Sequence, residues 1–102
     1  MKVFTVILAL AAAASAAVPG FDISNWQSSV NFAGAYSSGA RFVIIKATEG
    51  TTFIDPKFSQ HYIGATNAGF IRGGYHYARP DGASGGDQGT YFCPPFREAQ
   101  CD

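Results

Sequence analysis

The chain has 102 residues, no formal net charge, 47% hydrophobic and 15% aromatic residues, and only 14% charged ones. That length suits one small domain, and that composition argues for a packed globular chain and against disorder. The seven Lys and Arg residues are scattered with no basic patch, which excludes nucleic-acid binding driven by counterion release.

At the N-terminus Lys2 precedes an apolar run, VFTVILALAAAA, and Ala14-Ser15-Ala16 is a small-residue cleavage pattern. These predict a signal peptide over residues 1–17, a mature start near Ala17 or Val18, and a secreted, extracellular product. The run is shorter than the roughly 20 apolar residues of a membrane span, so no membrane association is expected once it is removed.

Strand-like and helix-like segments then alternate. Gly20–Ser24 reads as a buried strand with Asp22 set into it. Residues 30–38 read as a helix, capped by Asn31 or Ser29 and stopped by Gly39. Phe42–Ile45 is a continuous β-branched strand that runs on into Lys46-Ala47-Thr48-Glu49-Gly50. Asp55-Pro56 opens a second helix with an apolar stripe of Phe58, Tyr62 and Ala65, ending at Gly69. Ile71–Tyr77 is the third strand, stopped by Pro80. The order β-α-β-α-β with short connections predicts a parallel sheet with right-handed crossovers. From Asp81 the segment DGASGGDQG reads as flexible, and the consecutive prolines Pro94 and Pro95 argue against the helix that the alternation would place next.

Two cysteines, Cys93 and Cys101, stand close together near the C-terminus. In an oxidising compartment they are candidates for a short disulfide loop. With no clustered His or further Cys they are poor metal ligands, and neither a metal nor another cofactor is expected.

Asp22, Glu49 and His76 fall at or near the C-terminal ends of the three strands, the edge at which parallel α/β proteins gather ligands and catalytic groups. Neighbouring strands lie about 4.8 Å apart, which would let Asp22 and Glu49 approach as a carboxylate pair. Carboxyl groups separated by about 5–9.5 Å are the apparatus of glycosidic-bond cleavage. Trp26, Tyr75 and Tyr77 add flat apolar surface of the kind on which sugar rings stack. Structural readings compete: Glu49 pairing with Lys46, His76 as a hydrogen-bonded core histidine, His61 solvated on its helix, and Asp55 as a cap. Asp22 is explained by no turn or cap.

The stretches GFDISNWQ, RFVIIKATEGTTFIDPKF and NAGFIRGGYHYARP resemble the first half of glycoside hydrolase family 25, the Chalaropsis-type lysozymes or N-acetylmuramidases. The resemblance runs from Pro19 to about Gln88. It implies the first β-α-β-α-β portion of a modified (β/α) TIM-like barrel, and hydrolysis of the β-1,4 bond between N-acetylmuramic acid and N-acetylglucosamine in peptidoglycan. It places Asp22 in the active centre, and aligns Glu49 and Tyr75-His76 with positions lining the substrate groove. Family members also carry an Asp-x-Glu pair on the fourth strand, and this sequence has none. The expectation is therefore a partial barrel over residues 18–90, a divergent tail over 91–102, and a truncated, inactive form of a secreted lysozyme. The alternative is a non-catalytic secreted module that binds glycan or a partner through Trp26 and the tyrosines.

Overall fold

The structure, a computed structural model, describes residues 17–96. Most of the expected signal peptide lies outside the described residues, as does Cys101. The elements in chain order are β1 (Gly20–Ile23), α1 (Phe32–Ser37), β2 (Phe42–Glu49), β3 (Phe53–Ile54), α2 (Phe58–Ala68), β4 (Ile71–Tyr77) and α3 (Gly85–Phe96).

Strand β2 is the spine of the sheet. It pairs in parallel with β1 over residues 42–45 and with β4 along its whole length. Thr48 and Glu49 pair on their other edge with β3, antiparallel. Strand β3 therefore occupies the edge of β2 that β1 leaves free. The predicted β-α-β-α-β order is present, with a two-residue antiparallel strand added.

Both expected helix stops are in place. The Asn31 side chain accepts a hydrogen bond from the Gly34 N–H and caps α1. Gly39 follows that helix at φ 114°, and Gly69 ends α2 at φ 94°, a left-handed conformation that side-chain-bearing residues rarely adopt. Helix α2 begins at Phe58, with the Asp55 carboxylate accepting from the Lys57 N–H at 2.8 Å.

The third helix corrects the sequence reading. Residues 85–96 are helical although the glycine-rich segment reads as flexible and two prolines lie within the span. Pro94 and Pro95 fall in its last turn, where few following residues depend on the lost bonds. At the other end Ser84 supplies a cap, its hydroxyl accepting from the Asp87 N–H at 3.1 Å. Ser84 and Asp87 have the spacing of a helix start, which is the signal that outweighs the glycines.

The helices cover one face of the sheet. Ile23, Val43 and Ile45 point to that side and meet Phe32, Ala65 and Phe70 in the core, all buried. Phe70 is the hub, edge-on to Phe21, Phe32 and Tyr36 with ring centres 5.5–5.8 Å apart. His61 also belongs here. It was expected to be solvated, yet it is 1% exposed, with its Nε2 3.1 Å from the Ser24 carbonyl. On the helical wheel position 61 lies about 40° beyond position 65, at the margin of the stripe formed by 58, 62 and 65, and its contacts with Ser24 and the Phe32 ring draw it inward.

The opposite face carries Phe42, Ile44 and Lys46 from β2, Asp22 from β1, and Ile71, Tyr75 and Tyr77 from β4. Among the described residues no helix packs over it. Gly20 and Gly73 leave room here. A Cβ on Gly20 would sit 2.3 Å from the Phe42 ring, and one on Gly73 would touch Ile44. Midway along β2 the register with β4 slips between Lys46 and Thr48, leaving Ala47 as an extra residue. This β-bulge puts Thr48 on the helix side opposite His76, and returns Glu49 to the open side opposite Tyr77.

Candidate active site

Asp22 lies level with Ile44, and Ile44 in turn lies level with Gly73. Together with Tyr75 and Tyr77 it borders a shallow depression on the open face. The sequence suggested a buried lone carboxylate; Asp22 is exposed. The apolar alternation of β1 is real, but Asp22 takes the phase facing away from the helices. It makes no side-chain hydrogen bond or ion pair among the described residues. A carboxylate held on a rigid strand without a structural partner is available to a ligand.

Tyr75 sits next to it. Partial burial, followed by the negative charges of Asp22 and Asp55, raises the phenol above the ordinary tyrosine value. Tyr75 therefore stays a neutral hydrogen-bond donor well into the alkaline range.

Tyr77 joins this depression to a second one, lined also by Asn25, Trp26, Lys46, Glu49, Phe53 and Arg79. The Trp26 indole is 85% exposed at its rim. Glu49 is gripped from two sides. Oε1 accepts from the Lys46 ammonium, and Oε2 accepts from Arg79 Nε at 2.7 Å and pairs with the rest of that guanidinium. The hydrogen bonds from Lys46 and then Arg79 hold its carboxyl below the usual carboxylate range. Lys46 is only 6% exposed, and its ammonium lies about 5 Å from the ring centres of both Phe53 and Tyr77. The pairing of Glu49 with Lys46, foreseen as the structural reading, is present, and Arg79 adds a second partner that the sequence reading did not include.

The backbone positions that carry the two carboxylates are not side by side. Lateral strand spacing alone suggested a close approach, but the register adds a longitudinal offset, because Glu49 lies five residues beyond Ile44 on β2. With one of those residues taken up by the bulge, their backbones stand about 13–16 Å apart along the strand direction.

His76 does not reach this face. Its ring points to the helix side, between Thr48 Oγ1 and Gln88 Oε1, each at 2.8 Å, and lies edge-on to Phe92. The open face thus gathers Asp22, Tyr75, Tyr77, Trp26 and Glu49, and leaves His76 behind the sheet. Asp55, read from sequence as the N-cap with Pro56 at the first helical position, stands two residues before the actual N-cap, Lys57, and holds the turn that leads into the helix. It is 3% exposed, and its second oxygen accepts from the Asn25 N–H at 2.9 Å, tying the β1–α1 loop to the start of α2. Among the described residues there is no group of three or more His, Cys, Asp or Glu able to hold a metal ion, and no helix is long and apolar enough to cross a membrane.

Fold and site together define a mixed α/β protein whose exposed carboxylate and aromatic rings share the helix-free face of a parallel sheet. The chain belongs to Glycosyl hydrolases family 25, whose sequence profile matches residues 21–102. It is 64% identical over 78 residues to an N,O-diacetylmuramidase from Chalaropsis sp, covering 74% of this chain and 37% of the relative. A second N,O-diacetylmuramidase, from Arthroderma benhamiae, is 50% identical over 104 residues, covering 90% of this chain and 44% of the relative. Among solved structures, a muramidase from Trichobolus zukalii superposes with a TM-score of 0.75 at 70% identity, covering 76% of this chain and 38% of that one. The chain spans about two fifths of the length of these relatives.

Proposed function

We propose that this chain forms the first part of a secreted lysozyme that acts on peptidoglycan, cleaving the β-1,4 bond between N-acetylmuramic acid and N-acetylglucosamine. The strands would form one side of a modified (β/α) barrel over residues 18–90, and the open face would line its interior. The product would be extracellular after removal of residues 1–17, with Cys93 and Cys101 joined near the end of the chain.

The observation that carries this reading is Asp22: an exposed carboxylate with no structural partner, flanked by Tyr75 and Tyr77, in a family 25 chain. In that role Asp22 stabilises or attacks the anomeric carbon, Tyr75 donates a hydrogen bond to the sugar, and Trp26 and Tyr77 provide stacking surface. Glu49, held ionised by two cations, does not serve as the acid that protonates the leaving oxygen. It orders Lys46 and Arg79 along the groove instead.

Glycosidases place their two carboxyl groups about 5–5.5 or 6.5–9.5 Å apart. Glu49 is held ionised by Lys46 and Arg79, and Asp22 can fill only one of the two roles, so these 102 residues alone should not hydrolyse cell wall. The test is lysis of purified peptidoglycan by the chain alone, and by the chain extended to family length with the remaining strands and helices. Lysis only by the extended form, abolished by Asp22→Asn, is the expected result. Robust lysis by the short chain, lost on both Asp22→Asn and Glu49→Gln, would make those two residues the catalytic pair and overturn the reading.

A further inference from the structure

Gln88 on α3 is 4% exposed, and its amide is fully used. Its Nε2 donates to the carbonyls of Arg79 at 2.9 Å and Ala83 at 3.0 Å. Its Oε1 accepts from the Arg79 N–H at 2.9 Å and meets Nε2 of His76 at 2.8 Å. A flipped amide would set NH2 against an N–H and an oxygen against two carbonyls, so the orientation is fixed. The His76 tautomer follows from it. Facing an acceptor oxygen, Nε2 carries a proton, and in the neutral ring Nδ1 accepts from the Thr48 hydroxyl at 2.8 Å.

Gln88 thus grips the Arg79 main chain by both its N–H and its carbonyl. From that anchored backbone the Arg79 side chain reaches over the end of β4 to Glu49. The charged groups around this ion pair are Lys46 on β2 and Asp81 in the loop that follows β4; the Arg79 guanidinium also lies 5.3 Å from the centre of the Tyr77 ring. The groove charges and the network behind the sheet are joined through one residue.

We propose that Gln88 is a positioning residue: from the helix side of the sheet it locks His76 in the Nε2–H form and holds the Arg79 backbone where its guanidinium stays on Glu49. The use of this device in binding or catalysis rests on the groove assignment above. Its test does not require hydrolysis, so a failure of the muramidase reading and a failure of this inference are distinguishable.

The experiment is nuclear magnetic resonance on the 102-residue chain, reading the ring nitrogens of His76 and the carboxyl carbon of Glu49 as pH is lowered. In the unsubstituted protein Nε2 should be protonated and Nδ1 pyridine-like at neutral pH; a proton on Nδ1 alone would overturn the inference. In Gln88→Leu the fixed tautomer should be lost, and the Glu49 midpoint should move upward toward its position in Arg79→Met. A natively folded Gln88→Leu protein with both signals unchanged would refute the role. Gln88→Asn keeps a neutral amide but is one methylene too short to hold Arg79 and His76 together, and covers the case in which leucine prevents folding. Loss of the fixed His76 tautomer there supports the assignment, and its retention contradicts it.

Discussion

The same substitution, Asp→Asn, should have opposite consequences at positions 22 and 55. At Asp55 each carboxylate oxygen accepts one backbone N–H, from Lys57 at 2.8 Å and from Asn25 at 2.9 Å, in a residue 3% exposed. Asparagine offers one acceptor and sets an NH2 against the other N–H. One buried donor is then left unsatisfied and the charge assistance is lost from the bond that remains. Leaving a buried group unpaired costs about 1–3 kcal/mol, so Asp55→Asn should destabilise by roughly 2–3 kcal/mol. For a chain with about 80 described residues, total stability is on the order of 4–12 kcal/mol, so this is a large share of it. Asp22 is exposed and makes no such bonds, and Asp22→Asn should fall within about 0.5 kcal/mol of the parent. Urea denaturation followed by far-UV circular dichroism compares the three proteins directly. With a slope near 1 kcal/mol per molar, the Asp55→Asn midpoint should drop by about 2–3 M while that of Asp22→Asn stays put. Equal drops would refute the division into one structural and one functional aspartate.

Three further outcomes are expected. Because Lys46 and Arg79 depress the folded-state carboxyl of Glu49, its contribution is present above its unfolded value and is lost as pH falls through the folded one; Glu49→Gln should flatten the acid limb of the stability–pH profile, measured by urea titration at each pH. An alkaline titration followed by tyrosine absorbance should show one phenol ionising later than the others, and Tyr75→Phe should remove that late phase while Asp22→Asn advances it. Thiol alkylation of secreted material without reductant should label neither Cys93 nor Cys101, and opening that short loop should cost at most about 2–3 kcal/mol, local to the end of the chain.

Much of the fold was legible because its signals are local. The Val43–Ile45 run, the Asn31 cap, and the stops at Gly39 and Gly69 each act within a few residues. Helix α3 is harder to read because Pro94 and Pro95 argue against a helix while falling only in its last turn, and its start rests on the Ser84–Asp87 spacing within a glycine-rich segment. The site was legible in its membership and less so in its geometry. Asp22, Trp26, Tyr75 and Tyr77 do share a face. The distance from Asp22 to Glu49, however, depends on inter-strand register, which a one-dimensional pattern does not carry. The displacement of His76 to the helix side, the grip of Arg79 on Glu49, and the burial of His61 likewise arise from partners distant in sequence.

The extra residue at Ala47 governs which way the end of β2 reads. Up to Lys46 the strand follows one parity of in and out; beyond Ala47 it follows the other. Were the strand to keep Ala47 but run on in regular alternation, Thr48 would turn to the open side and Glu49 toward the helices. A carboxylate would then face Phe92 and the His76 ring with Lys46 and Arg79 stranded across the sheet, and His76 would lose its hydroxyl partner. Deleting Ala47 does not do this, because Thr48 would then follow Lys46 directly and both residues would keep their sides. The bulge absorbs one residue, and a one-codon insertion before Thr48 that it could not absorb would invert both networks at once.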